Sequence, residues 1–470
     1  MAISIRTWPS RLVARPWLLA FVPVNAATAG FGVVLPLLIL IPLHGSWADV
    51  ALAATLFNSA VILSSVVWGH LADRHPGRRA FLVLNYGGYA ALYLGLSHVG
   101  SLPLLYGIYT VVGLLAPAGA NAANLLILEK FSETERATAY ASYQEMTMIG
   151  SVAGLLVGYF WTVANDALLT LLYVLAGLAA VSAVAIWFGI REARRSLTTA
   201  HMAKHPESLA SRLRVSSSLR IPIPFFPRRP RLGPSPLARF RLWVREELHH
   251  ELPLVMGAMF LFNLGSNLFN ISYTPFLYAA GLGVAAIFLV NFSNNFAQLV
   301  LYPLSGKLAS RFGPDGLVRW STYVRSLGYL ATAGFTFVVL GSTGAFSANL
   351  IAFGTLGGAI AIYTTASSLI LFRGLAHRDA GGLLGVNSSL GGAAAVLGAV
   401  LSGVLSVYGS YRLVFLVAAG ALLISVPIWT AAGVAYRRRR LGAEAPTVAT
   451  NASAGVPSRA PEASASAKPH

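Results

Sequence analysis

Apolar runs of 18 or more residues recur along this chain from Trp17 onward, parted by short polar punctuation, and no other feature limits the fold as tightly. A run of that length crosses a bilayer core of roughly 30 Å as a helix. Twelve spans are expected, at about 17–41, 48–68, 80–98, 102–127, 138–162, 167–190, 253–279, 283–305, 316–340, 345–371, 381–408 and 412–435. Lipid offers a bare backbone no hydrogen bonds, so each run must satisfy its own as a helix, and the alternation of an outer-membrane barrel is absent. The fold class is therefore all-α: a polytopic membrane protein with 12 transmembrane helices in two six-helix bundles. Composition fits, with 56% hydrophobic and 11% charged residues.

Arg6, Arg11 and Arg15 precede the first run, which is too long for a signal-peptide core and lacks a convincing cleavage site, so it reads as a retained first span. A net charge of +18 in a soluble protein would raise nucleic-acid binding. Here the charge alternates between connections. With the basic N-terminus inside, every Lys and Arg except Arg412 falls on or close to the inner side, as the positive-inside rule requires. Both termini are expected in the cytoplasm and the protein in the cell (plasma) membrane; no nucleic-acid partner is expected. The chain has no cysteine and hence no disulfide.

A polar interval splits six spans from six. The expected domains are an N-terminal bundle (1–190), a basic cytoplasmic linker (191–250) containing IPIPFFPRRPRLGPSP, a C-terminal bundle (251–436) and a disordered cytoplasmic tail (437–470) rich in Ala, Ser and Pro. The halves echo each other. Gly69-His-Leu-Ala-Asp73-Arg74-His-Pro-Gly77-Arg78-Arg79 follows span 2, and Gly306-Lys-Leu-Ala-Ser310-Arg311-Phe-Gly313 follows span 8. Arg136 precedes Gly150 by the same 14 positions that separate Arg378 from Gly392.

The loop GHLADRHPGRR resembles the signature between the second and third spans of the major facilitator superfamily, with Gly77, Arg78 and Arg79 displaced by one residue. The resemblance implies twelve spans in two bundles and a secondary carrier. It further implies that Asp73 docks on a neighbouring helix end while Arg74, Arg78 and Arg79 join a charge network on the inner side. A carboxylate at a helix N-terminus gains about 0.3 to 1 kcal/mol, which gives that docking a physical basis. Gly69, Asp73, Arg74, Gly77, Arg78, Arg79, Glu129, Arg136, Gly306, Arg311 and Arg378 are the latch candidates; the plainer alternative is that the charges only set topology. Gly150, Gly154 and Gly158 allow close helix approach in span 5. Drug exporters of the family often carry Pro after the middle glycine and Arg in span 4, where Leu155 and Tyr109 stand here.

Polar groups inside a membrane mark either a cavity or interhelical hydrogen bonds. Asn263, Asn267 and Asn270 share one face of span 7, and Asn291, Asn295 and Gln298 one face of span 8. With Asn25, Thr28, Tyr109, Tyr143, Gln144, Tyr363 and Asn387 they are the cavity candidates. Glu145 is the one carboxylate expected within a span away from its ends, where a charged acid costs at least ~2.5 to 3.5 kcal/mol. A proton taken up and released there would couple transport; pairing with a loop arginine is the alternative. No GxxxxGK[ST] loop and no HExxH or clustered ligand set occurs, so no catalytic residue, metal or cofactor is expected and the chain is not read as an enzyme. The expected function is alternating-access transport of a small neutral or amphipathic solute, as proton-linked efflux, by a monomer whose partners are that solute, protons and the lipid bilayer. Uptake of a neutral metabolite and a sensor without flux are the alternatives.

Overall fold

The computed structural model describes residues 16–74, 77–131, 133–165, 167–190, 251–335, 342–375 and 380–444. Among the described residues twelve α-helices follow one another: α1 (Val22–Leu40), α2 (Trp47–Arg74), α3 (Arg78–Leu96), α4 (Leu102–Lys130), α5 (Glu133–Ala164), α6 (Leu168–Gly189), α7 (Glu251–Ala279), α8 (Val284–Phe312), α9 (Pro314–Phe335), α10 (Ser342–Leu375), α11 (Ala380–Tyr408) and α12 (Tyr411–Glu444). A 3-10 turn, Pro16–Phe21, leads into α1. No strand occurs among the described residues.

Ten of these helices are long and apolar enough to cross a membrane. The other two, α3 and α9, carry more polar residues, yet their 19 and 22 residues reach roughly 28 and 33 Å at 1.5 Å each, which suffices. Prolines near the start of α1 and α4 fit where a missing backbone N–H costs nothing. Gly313, at φ 77°, ends α8 by donating its N–H to Ala309 O, and Pro314 opens α9 directly behind it. That left-handed backbone is open to glycine without steric penalty.

Within the first half, α1 packs on α5 and α6, α2 on α4, and α3 on α4 and α6. The second half repeats the scheme with six added to every number: α7 on α11 and α12, α8 on α10, α9 on α10 and α12. Two seams join the bundles, α2 against α11 and α5 against α8, which exchange under the same rule; α1 and α7 also touch. This is the pseudo-two-fold arrangement of an internally repeated transporter. Inside each bundle the largest fully buried side chains are aromatic, Phe21 and Tyr93 in one and Phe262, Phe269, Tyr273 and Tyr329 in the other. Leu63, Phe160, Phe188, Ile351 and Ile424 are exposed on the outside, an apolar surface that only lipid covers without cost.

Alternation along the helices puts the ends of α2, α4, α6, α8, α10 and α12 and the starts of α3, α5, α7, α9 and α11 at one end. That end is the basic face. The connections at 41–46, 97–101, 280–283 and 409–410 lie at the far face. Several helices outrun the apolar stretches: α8 runs past 305 to Phe312, and α12 continues through Arg437–Arg440 to Glu444, beyond the bundle end expected at 436. The linker at 191–250 and residues 445–470 lie outside the described residues.

Candidate functional site

Asn25 in α1 and Asn263 in α7 occupy matching places in the two bundles, each against a glycine of the neighbouring helix. A Cβ at Gly150 of α5 would come within 2.8 Å of Asn25, and one at Gly391 of α11 within 3.8 Å of Asn263 Nδ2. Asn25 Nδ2 donates to Phe21 O at 2.7 Å, and Thr28 Oγ1 to Asn25 O at 3.2 Å. Asn267 Nδ2 likewise donates to Asn263 O at 2.8 Å, while Gly398 packs on its Cβ. Asn25 and Asn267 each donate back along their own segment while packing on a glycine of the neighbouring helix, so among the described residues the crossings are made by packing and not by an interhelical hydrogen bond from these amides. Asn270 and Gln144 are exposed, whereas Asn263, Tyr143 and Asn387 are half-buried.

The polar face expected on α8 serves two directions. Asn291 and Asn295 donate back along the helix, to Ile287 O at 2.9 Å and Asn291 O at 3.1 Å. Gln298 Nε2 donates to Asn294 Oδ1 at 2.7 Å, and Asn294 Nδ2 in turn to Phe353 O of α10 at 2.8 Å. Ser293 with Leu350 O, Thr364 with Tyr302, and Ser305 with Thr365 extend this α8–α10 seam. Asn294 was overlooked because it lies one position off the stripe; Gly357, which packs on its backbone, was the available signal.

Aromatic rings fill the depth of both bundles. Tyr109 stacks on Phe57 at 4.6 Å and leans on Phe31 at 5.9 Å, and Tyr143 meets Phe21 edge-on at 5.1 Å. In the second bundle Tyr363 lies face to face on Phe262 at 3.3 Å and Phe269 on Tyr329 at 3.9 Å. Arg325 belongs to this cluster, and here the charge reading needs correction. The sequence reading placed this arginine on or close to the inner edge. It sits at the middle of α9, roughly 16 Å along a helix rising 1.5 Å per residue, and is only 3% exposed. Arg325 Nε donates to Tyr329 OH at 2.7 Å and Nη1 to Leu356 O at 3.2 Å, and the guanidinium lies 5.6 Å from the Phe262 ring centroid. Such a cation costs at least roughly 2.5 to 3.5 kcal/mol at a helix centre, and a desolvated cation–π contact returns about 2 kcal/mol or somewhat more. Among the described residues no carboxylate pairs with it.

Contacts between the bundles concentrate towards the far face. Trp47, opening α2, donates Nε1 to Ser402 Oγ of α11 at 3.3 Å and stacks on Tyr411 of α12 at 4.2 Å. Ser402 continues to Ser272 of α7 at 2.8 Å. A Cβ at Gly403 would stand 3.3 Å from Ala51, and Phe288 of α8 fills the space beside Gly158 of α5. The seam reaches mid-depth at Ile62 and Gly392. At the basic ends of α2 and α8, by contrast, Gly69 and Gly306 have no described neighbour within 4 Å of where a Cβ would stand.

The basic-face arginines engage within their own bundles. Arg78 is buried at the start of α3. Arg79 Nη1 donates to Trp187 O at 3.3 Å and lies over its ring, while Lys130 lies over Trp17, its ammonium held below the ordinary lysine range by burial. Arg311 lies over Phe312. Asp315, not among the expected latch residues, pairs with Arg373 at 3.1 Å, and Arg373 covers Tyr436. The side chains of Asp73, Arg74, Glu129 and Arg136, and the whole of Arg378, lie outside the described residues. Gly77 has φ −73°, a backbone any residue adopts. Glu145 is half-buried, one turn inside the apolar stretch that begins at Ser142.

A family model described as Major Facilitator Superfamily matches residues 17–331. Uncharacterized MFS-type transporter YitZ of Bacillus subtilis (strain 168) is 28% identical over 115 residues, 24% of this chain and 70% of that protein. The crystal structure of nucleoside transporter NupG superposes with a TM-score of 0.63 at 13% identity, covering 88% of this chain and 97% of that one. A mutant of the same transporter gives 0.61, covering 98% of its length. At that identity the likeness is one of fold.

Proposed function

The chain belongs to the major facilitator superfamily and is a transporter of a small-molecule solute, and from that premise we propose that it works by alternating access, as proton-linked efflux of a small neutral or amphipathic compound. The observation that carries the reading is the joined far face: the bundles are tied from the far face to mid-depth through Trp47, Ser402, Gly403 and Phe288, while at the basic ends of α2 and α8 no described residue stands within 4 Å of a Cβ at Gly69 or Gly306. Two bundles joined at the far face open and close at the other end by rocking about the joined one. Placing the basic face in the cytoplasm, on the distribution of Lys and Arg, makes this arrangement inward-facing. The half-buried amides and rings of Asn263, Asn291, Asn295, Tyr109 and Tyr143 supply hydrogen bonds and apolar surface without charge, which suits a neutral solute.

In this reading Asp73 closes the basic face in the opposite state by docking at the start of α11, and Glu145 carries the coupling proton. Reconstitution in liposomes with a solute panel and an imposed pH gradient tests it. Solute flux driven by the gradient is expected. Flux of the opposite sense makes the protein an uptake permease, and binding without flux makes it a sensor.

A further inference from the structure

Around Arg325 the second bundle buries more hydrogen-bond donors than acceptors. Arg325 and Tyr363 are each 3% exposed, Ser266 5% and Trp429 3%. Among the described residues the Tyr363 hydroxyl and Trp429 Nε1 have no hydrogen-bond partner, while Ser266 Oγ lies beside the Tyr329 hydroxyl. The four are contiguous. Tyr363 covers one face of Phe262, whose ring also faces the guanidinium, and Trp429 meets Tyr363 edge-on at 6.2 Å. Ser266 lies one turn along α7 from Phe262 and just before Phe269, which stacks on Tyr329, the acceptor of the Arg325 Nε–H.

An indole N–H and a guanidinium can only donate, and although hydroxyls also accept, no group among those described here carries the negative charge that a buried cation demands. The packing does not require the cation. Counting twelve and sixteen positions on from Gly77 and Gly313 reaches Tyr89 and Tyr93 in α3, and Arg325 and Tyr329 in α9. Phe31 stacks on Tyr93 at 4.3 Å as Phe269 does on Tyr329 at 3.9 Å, so the first bundle builds the same core with a tyrosine where the second has Arg325.

We propose that a small monovalent anion, the size of a halide or a carboxylate group, binds between α9, α10 and α12, held by the charge of Arg325 and by hydrogen bonds from Tyr363 and Trp429.

The test uses purified full-length protein in detergent, followed by thermal unfolding. At constant ionic strength isethionate, a bulky sulfonate, is replaced stepwise by chloride or by formate. A saturable rise in Tm is expected. Chloride producing it assigns the site to a halide; formate alone producing it assigns the site to a carboxylate group. Tyr363→Phe keeps the ring and removes one donor, raising the half-saturating concentration about tenfold, since a hydrogen bond to a charged group is worth roughly a factor of ten or more. Arg325→Met abolishes the response, and if that variant does not fold, Tyr363→Phe decides. A wild-type Tm indifferent to both anions, or an unchanged half-saturating concentration in Tyr363→Phe, overturns the proposal. Because the assay reads binding and not flux, its result is independent of the transport reading.

Discussion

At the scale of single residues, chemistry and position carry different amounts of information. Glu145 was visible as a carboxylate in apolar surroundings, but its place one turn inside the Ser142–Ala164 stretch depends on where α5 starts, and that start at Glu133 lies outside the apolar run. If Glu145 exchanges the coupling proton, Glu145→Gln abolishes the response of solute flux to an imposed pH gradient while downhill exchange continues. A gradient response equal to wild type leaves Glu145 a structural role only. Asp73→Asn tests the latch: the protein should insert normally and transport several-fold more slowly, because the lost interaction of about 0.3 to 1 kcal/mol, rising to ~2 when partly buried, stabilises one of the two states. Wild-type rates in the variant remove the latch. Asn25, Asn263 and Asn267 were legible as polar residues in lipid, and their glycine neighbours were not, because those belong to other helices.

Helices were more readable than residues, since lipid forces each apolar run to bond internally. Where expectation and structure differ, the helix simply continues beyond the apolar stretch, as α8 does to Phe312 and α12 to Glu444, for a helix ends where its hydrogen bonds end and not where lipid does. The glycines of α5 show how an element is selected by its neighbour. A Cβ at Gly154 would overlap the Ala26 carbonyl of α1, and backbone cannot rotate away. Gly154→Val should therefore part α1 from α5, costing about 1 to 3 kcal/mol and lowering the yield of folded protein in size-exclusion profiles. Gly107 of α4, with nothing within 4 Å, is the control, and Gly107→Ala should be neutral or slightly stabilising. Equal yields from the two would mean that α1 and α5 do not need the close approach.

For the whole molecule the decisive contacts are those between bundles. The Gly403 Cβ position lies 3.3 Å from the Ala51 Cβ, near the spacing of a disulfide, and the chain has no cysteine of its own. The double substitution Ala51→Cys with Gly403→Cys should cross-link under oxidation, stop solute flux by holding the far face shut, and regain flux on reduction. Cross-linked protein with undiminished flux would show that α2 and α11 need not separate there. Residue order alone settled that this chain lies in lipid, forms twelve helices and repeats itself, because bilayer thickness and backbone hydrogen bonding act on each run separately. Only the folded arrangement decided which helices form the seams, that Trp47 meets Ser402 across 355 positions, and that Arg325 lies at mid-depth among rings, with no countercharge among the described residues. Those facts rest on packing between distant segments, and such packing leaves no periodic mark in any one of them.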